Sequence, residues 1–440
     1  MSDVPLSRIK EQLKEAYTTK LFFTDLNGRL KNLSINPNDI ETIMENGVGI
    51  DGSSIAGIAT VDNSDRILKP VQESFRLVDF GDRKVGFFVG QIYDQDGSRS
   101  SVDPRYVLER VVEKAADKFQ LKFMMGPEHE FFLLNGDEIN DDTHTDKLDY
   151  FGSSPTDIGD VVRQEIVDVL ARCGIKYEKT HHEVTSSQHE INLEPGDPLS
   201  IADRTVLFEF VTKEVAAHYS LHATFMSKPF TGYNRNAFHI HTSFTDMEGN
   251  NLCYDENTDN HLSPMLMNFI GGIIVHAREA SIVLAATFNS YKAYVLDKEA
   301  PVVRGWGMRN RSSMVRIPYA TSPKATRMEL RCPDATGNVY LQFAILMFMG
   351  LSGIENKVDP GQPDIGSIYK KEKDLAPKVL DRRFLPRDFF PALMEAENSE
   401  FMKESLGEDL FNNYMKIKIG EWEDHRTTIT DIEHRKYLHI

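Results

Sequence analysis

The sequence predicts an α+β chain in two unequal parts: a small β-rich N-terminal unit over residues 1–102 and a large mixed unit over residues 103–440. Three observations predict it. The 440 residues exceed one typical domain. Between Leu21 and Gln91 the apolar pattern breaks into short strand-like runs, LFFTDL and VGFFVGQIY, punctuated by Asn27-Gly28 and Gly81-Asp82. After the polar stretch Asp94–Ser101, longer helical patterns mix with strands.

Taken in order, residues 5–17 have helical spacing, with Ile9, Leu13 and Tyr17 on one stripe. The strand-like runs follow. Asp103-Pro104 then supplies an N-cap and a proline at the first helical position, opening a helix to about Phe119. LKFMMGPEHEFFLL reads as a strand, Thr156 to Cys173 and Ala202 to Phe225 as helices. The longest apolar run, Pro264 to Phe288, is interrupted by His276, Arg278 and Glu279 and reads as a buried helix, because charges in mid-span are costly in lipid. From Asp364 the chain is charged and largely helical.

A net charge of -17 argues against a surface built for nucleic acid or an anionic membrane. Cys173, Cys253 and Cys332 are widely spaced, which fits free thiols in a reducing cytoplasmic compartment. The charged N-terminus has no apolar segment of the signal-peptide kind.

Four segments share a chemical property. In GPEHEFFL, Glu128 and Glu130 sit two apart, on one face of a strand. In FHIHTSF, His239, His241 and Ser243 alternate with apolar residues, and in RMELR, Arg327, Glu329 and Arg331 share a face. HHEVTSSQHEIN carries Glu183 and Glu190 seven apart, a spacing that needs a loop or kink if both serve one site. Any single face of this kind is more often a solvent face. Their recurrence between large apolar residues points to a polar interior cavity, where clustered carboxylates with an imidazole suit magnesium or manganese. A cationic constellation follows: Arg304, Arg309, Arg311, Arg316, Lys324, Arg327 and Arg331 fall within 28 residues of an otherwise acidic chain. Guanidinium forks suit phosphate and carboxylate oxygens. Neither a P-loop nor a Rossmann fingerprint occurs. Together the two constellations point to phosphoryl transfer.

These segments resemble, in order and spacing, the motifs of the class I glutamine synthetases. DGSSIAG at 51–57, GPEHEFF, HHEVTSSQHEI, KPFTGYNRNAFHIHTS, NSYKAYVLDKEAPV, RNRS with VRIP, and SPKATRMELRCPD carry the resemblance, which spans roughly residues 5–440. It implies a β-grasp-like N-terminal domain, a catalytic α/β domain, and a homo-dodecamer of two hexameric rings whose active sites are shared between neighbours. It implies two or three Mg2+ or Mn2+ ions per site. Glu130, Glu183 and Glu190 would hold one metal; Glu128, His239 and Glu329 the other. Glu178, His241, Ser243, Arg316 and Lys324 match positions near ATP, and Arg311 and Arg331 those that stabilise the transferring phosphate and the substrate carboxylate. Asp51 matches the residue that takes the ammonium proton, and Glu299 the glutamate of a closing flap. The implied reaction joins ammonia to a small carboxylic acid through an acyl phosphate, at the expense of ATP.

The acid-binding half departs from the pattern. The family's NSYKR reads Asn289-Ser290-Tyr291-Lys292-Ala293, so the arginine that clamps the α-carboxylate of glutamate is missing. The NGSGMH loop reads Asn234-Arg235-Asn236-Ala237-Phe238-His239, with arginine where glycine lets the backbone approach the amino acid. Ser187 replaces the glycine before Gln-His-Glu. Glutamate is the family default. The departures favour a different acid, with Arg235 offering a repositioned positive charge. A non-catalytic sensing paralogue is the reading from another class, and six retained metal ligands count against it.

Overall fold

The computed structural model describes residues 4–136, 138–140, 143–295, 300–368 and 383–440. Among the described residues, the N-terminal part forms a six-stranded sheet in the order β2-β1-β6-β4-β3, with β5 paired to β6. Its strands are β1 (Thr18–Thr24), β2 (Leu30–Ile35), β3 (Val48–Asp51), β4 (Asp65–Pro70), β5 (Arg76–Asp79) and β6 (Lys84–Tyr93). β1 and β6 run parallel and the other pairs antiparallel.

The second sheet has eight strands, ordered β12-β13-β14-β11-β7-β9-β8, with β10 paired to β7. Its members are β7 (Lys122–Leu134), β8 (Tyr177–His182), β9 (Gln188–Leu193), β10 (His222–Thr224), β11 (Ile240–Thr245), β12 (Trp306–Met308), β13 (Val315–Ile317) and β14 (Met328–Leu330). β7 is the spine. It alternates Phe123 and Met125 into the core with exposed Lys122 and Met124, then becomes buried on both faces from His129 onward.

Helices cover the back of this sheet. The Asp103 carboxylate accepts from the Arg105 amide and caps the helix Pro104–Phe119, as the sequence predicts. Pro264–Leu284 packs against Val339–Asn356 with almost no room between the backbones: a Cβ on Gly272 would lie 2.1 Å from the Met349 carbonyl oxygen. Both helices are long and apolar enough to cross a membrane, yet most of each is buried inside the fold. All three cysteines are buried and free.

Three expectations need correction. The first helix is Leu6–Leu13; Ile9 and Leu13 are buried, but Tyr17 is 82% exposed because its amide bonds to the Lys84 carbonyl and turns the chain into β1. A helix, Ile40–Asn46, interrupts the strands of the N-terminal part. The helix expected over 202–225 is Pro198–His218. Ser220 adopts φ 58° and the Leu221 amide returns to the Ala216 carbonyl, a left-handed stop that releases His222–Thr224 to pair with β7.

Candidate active site

Strand register assembles the site. β13 and β14 place Arg316 opposite Glu329, and β14 and β11 place Glu329 opposite His241. Across β7, Glu130 lies opposite Glu190, and Glu190 opposite His181. Glu128 and Glu130 alternate with His129, so both face the site while His129 faces the core between Phe208 and Phe238, at ring distances of 4.4 and 5.5 Å. Burial lowers the His129 pKa to about 3 and keeps it neutral there.

The first cluster is charge-compensated by the protein itself. Glu128 takes His239 Nδ1 on one oxygen at 2.8 Å and His241 Nε2 on the other at 3.1 Å. Arg327 Nε donates to His241 Nδ1 at 3.1 Å, which leaves the His241 proton on Nε2, facing Glu128. Glu329 accepts from Arg316 at 2.6 Å and from Arg331. Burial opposes the Glu329 charge, but Arg331 and the two histidines hold its pKa at about 2. Glu128 likewise stays well below its ordinary value because the His239 and His241 hydrogen bonds outweigh burial. Burial, then the Arg331 charge, lowers His239.

The second cluster is less fully compensated: among the described residues, Glu190 has Lys179 Nζ at 3.7 Å and His181 Nε2 at 3.3 Å. A tight turn joins β8 to β9, closed by the Glu183 amide on the Gln188 carbonyl, and it brings Glu183 and Glu190 together despite their spacing. Ser187 stands at φ 65° in that turn, a conformation that favours glycine, and its hydroxyl accepts from the Thr145 amide at 2.7 Å. Asp146 clasps the same turn, accepting from the Ser187 amide at 3.1 Å and from His182 Nε2 at 3.0 Å. Burial and then repulsion from Glu183 and Glu190 push Glu130 well above the ordinary carboxyl range. Burial and the Glu190 charge raise Glu183 to about 7. Carboxylates that cannot all ionise unaided fit a bound cation. The donor atoms within 4.8 Å of one another are those of Glu128, His241 and Glu329 in one group and His181, Glu183 and Glu190 in the other.

The remaining predicted residues divide. Ser243 shares the His241 face of β11. Arg331 is buried against Glu329, and its Nε donates to the Arg311 carbonyl at 3.1 Å. Arg311 itself lines a cavity of about 640 Å³ between segments 308–312 and 363–367. Lys324 is exposed, on a loop fixed by Asn251 Nδ2, which donates to the carbonyls of Pro323, Lys324 and Thr326 at 3.1, 3.1 and 2.9 Å. Glu178 is exposed at the β8 register shift and is not drawn to the cluster. Asp51 is exposed on the N-terminal sheet; Ser53 and Ser54 hold its carboxylate and lower its pKa. Glu299 lies outside the described residues.

Arg235 differs from expectation. It is buried, and its guanidinium donates to the Arg331 and Cys332 carbonyls at 2.6 and 3.0 Å while lying over the Tyr294 ring at 5.8 Å. Its charge serves main-chain oxygens at the end of β14. Ala293, one residue before Tyr294, is also buried. The Asn234 amide bonds Thr185 Oγ1 at 3.3 Å, tying this loop to the Glu183 turn. Sequence reasoning missed His181, Asp146 and Asn251. His181 carried the one available signal, a position two residues before Glu183 on a strand.

A family model described as the glutamine synthetase catalytic domain matches residues 101–437, and one described as the glutamine synthetase β-grasp domain matches residues 16–95. The chain belongs to the glutamine synthetase family. It is 39% identical over 438 residues to the glutamine synthetase of Methanosarcina mazei, covering 98% of this chain and 96% of that one. It is 36% identical over 425 residues to that of Thermotoga maritima, covering 96% of each. Among solved structures, apo GmaS without ligand superposes with a TM-score of 0.88 at 30% identity, covering 99% of each chain. A cryo-EM structure of Plasmodium falciparum glutamine synthetase shares the fold at a TM-score of 0.88 and 21% identity, again over 99% of each chain. Membership makes this glutamine synthetase-family chain a ligase that forms carbon–nitrogen bonds, in a family that uses ATP and divalent metals.

Proposed function

We propose that this chain is an ATP-dependent acid–ammonia ligase working through an acyl phosphate, on a carboxylic acid other than glutamate. The observation that carries the ligase reading is the contrast between the two carboxylate clusters on one sheet. One is balanced by Arg316, Arg331 and the imidazoles, whereas among the described residues the other has only His181 and the half-exposed Lys179 beside Glu190, and Glu130 and Glu183 are pushed upward. Glu128, His239 and Glu329 would hold one divalent cation and Glu130, Glu183 and Glu190 a second, Mg2+ or Mn2+, supplying charge neutralisation at the phosphates.

In this reading an oxygen of the acid attacks the γ-phosphorus of ATP and ADP leaves. Arg311 and Arg331 neutralise the transferring group, while His241, Ser243, Arg316, Lys324 and Glu178 bind the nucleotide. Ammonia then attacks the acyl carbon and phosphate leaves. Asp51 takes the proton, and its hydrogen bonds from Ser53 and Ser54 keep it ionised for that purpose. Asp51 is exposed and, among the described residues, its hydrogen-bond partners are these neighbours, which supports a site completed between subunits of a ring assembly, the dodecamer of the family pattern.

Arg235 and Ala293 support the change of acid. A methyl replaces the clamp at 293, and Arg235 spends two donors on the backbone, so neither offers a bidentate fork to an α-carboxylate. The test is ATP- and ammonia-dependent phosphate release over a panel of acids. Saturation by glutamate with an ordinary KM refutes the change of acid, and no release with any acid refutes the ligase in favour of a sensing paralogue.

A further inference from the structure

We infer that His181 is an additional, nitrogen ligand at the second cation position, beside Glu130, Glu183 and Glu190, and that it biases this position toward Mn2+ over Mg2+. The inference rests on the metal reading above and goes beyond the ligand set the family pattern supplies.

The tautomer comes first. His181 Nδ1 lies 3.2 Å from the His182 carbonyl oxygen. A carbonyl only accepts, so the proton of the neutral ring sits on Nδ1 and the lone pair on Nε2. That lone pair faces Glu190 Oε1 at 3.3 Å. Either a proton or a cation must stand between these two buried atoms, and a bound cation would take the place of the proton. Lys179 Nζ reaches the same oxygen at 3.7 Å from a half-exposed side chain. Glu183 Oε1 stands 3.7 Å from the other nitrogen, and one donor atom from each of the three side chains fits within 4.8 Å.

The ring is also held in place, as a metal-binding imidazole must be. β8 and β9 put His181 directly across from Glu190. Tyr150 and Phe151 pack edge-on against it at 5.4 and 5.0 Å, with interplanar angles of 75° and 82°. The Phe151 amide donates to the His182 carbonyl at 3.1 Å and fastens that aromatic pair to the strand. Glu130, by contrast, has Oε2 occupied by the Ala237 amide at 2.8 Å and by Gln188 Nε2 at 3.1 Å. The donor atoms that lie within 4.8 Å of one another here are those of His181, Glu183 and Glu190, the imidazole included. A nitrogen among oxygens suits Mn2+ better than Mg2+, which prefers an all-oxygen octahedron.

The test titrates Mn2+ into the full-length, metal-stripped protein, wild type and His181→Gln. It reads bound ion by electron paramagnetic resonance and coordinated imidazole by nitrogen modulation of the echo. Wild type should bind with two imidazole nitrogens, one each from His239 and His181. His181→Gln should keep one, and its weaker Mn2+ site should lose about tenfold or more in affinity, since even outer-shell partners are worth about 10–100-fold. Its Mg2+ affinity should change by less than that. Two bound Mn2+ with a single coordinated nitrogen in the wild type, a measurement that needs no variant, overturns the assignment of His181 and leaves the metal reading intact. Unchanged modulation and affinity in His181→Gln does the same. No uptake of Mn2+ by the wild type overturns both.

Discussion

Removing the charge of Glu183 should alter stability in a pH-dependent way whose sign and size follow from its surroundings. Burial and the neighbouring Glu190 carboxylate raise its pKa from 4.5 to about 7 in the metal-free fold. Above pH 4.5 the unfolded chain releases this proton while the folded chain keeps it. The folded state therefore binds more protons, and stability falls as pH rises toward 7. The full span is about 3 kcal/mol, from roughly 1.4 kcal/mol per unit, and most of it falls between pH 5 and 8. Histidines titrate in the same window, so the informative quantity is a difference between proteins. Glu183→Gln and wild type, both stripped with chelator, should be compared by denaturant unfolding across that range. Relative to wild type, the variant should gain about 2–3 kcal/mol between pH 5 and 8. Saturating Mn2+ should reverse the order at pH 8, because only the wild type retains its full ligand set. A constant difference across pH in chelator would refute the reasoning, since it would mean that Glu183 titrates alike in both states.

Asp146→Ala removes the acceptor that clasps the Ser187 amide and His182, and should weaken the second cation by about tenfold or more in a titration followed by calorimetry. Asn251→Ala releases three carbonyls of the Lys324 loop, so the KM for ATP should rise roughly tenfold with kcat little changed. Gly272→Ala drives a Cβ to 2.1 Å from the Met349 carbonyl and should cost about 3 kcal/mol, read as a lowered thermal midpoint.

Much of the site was legible because strand periodicity is a local property. Glu128 and Glu130 on one face, and the alternation of His239, His241 and Ser243, follow from the two-residue repeat alone. The cap at Asp103-Pro104 is equally local. What escaped depended on partners distant in the chain. Arg235 reads as a free charge until β14 supplies the Arg331 and Cys332 carbonyls that absorb it. His181 acquires meaning only when register sets it against Glu190. The helix expected through 225 stops early because Ser220 turns left-handed, and β7 offers His222–Thr224 a better place in the sheet.

The continuity of β7 has a mechanical consequence. Glu128 and Glu130 are mounted on one rail, with Cα atoms roughly 6.5–7 Å apart by strand geometry, and His129 bolts the rail to the core from behind. In the proposed scheme the gauge between the two charge positions is then a property of the backbone, and a shift at one position is transmitted to the other. A phosphoryl group spanning that gauge meets a fixed tolerance whatever acid lies beside it. The loop of Arg235 meets the rail at one place, where the Ala237 amide and Gln188 hold Glu130, so in the proposed scheme a change of acid at this wall would reach the Glu130 position before the Glu128 position.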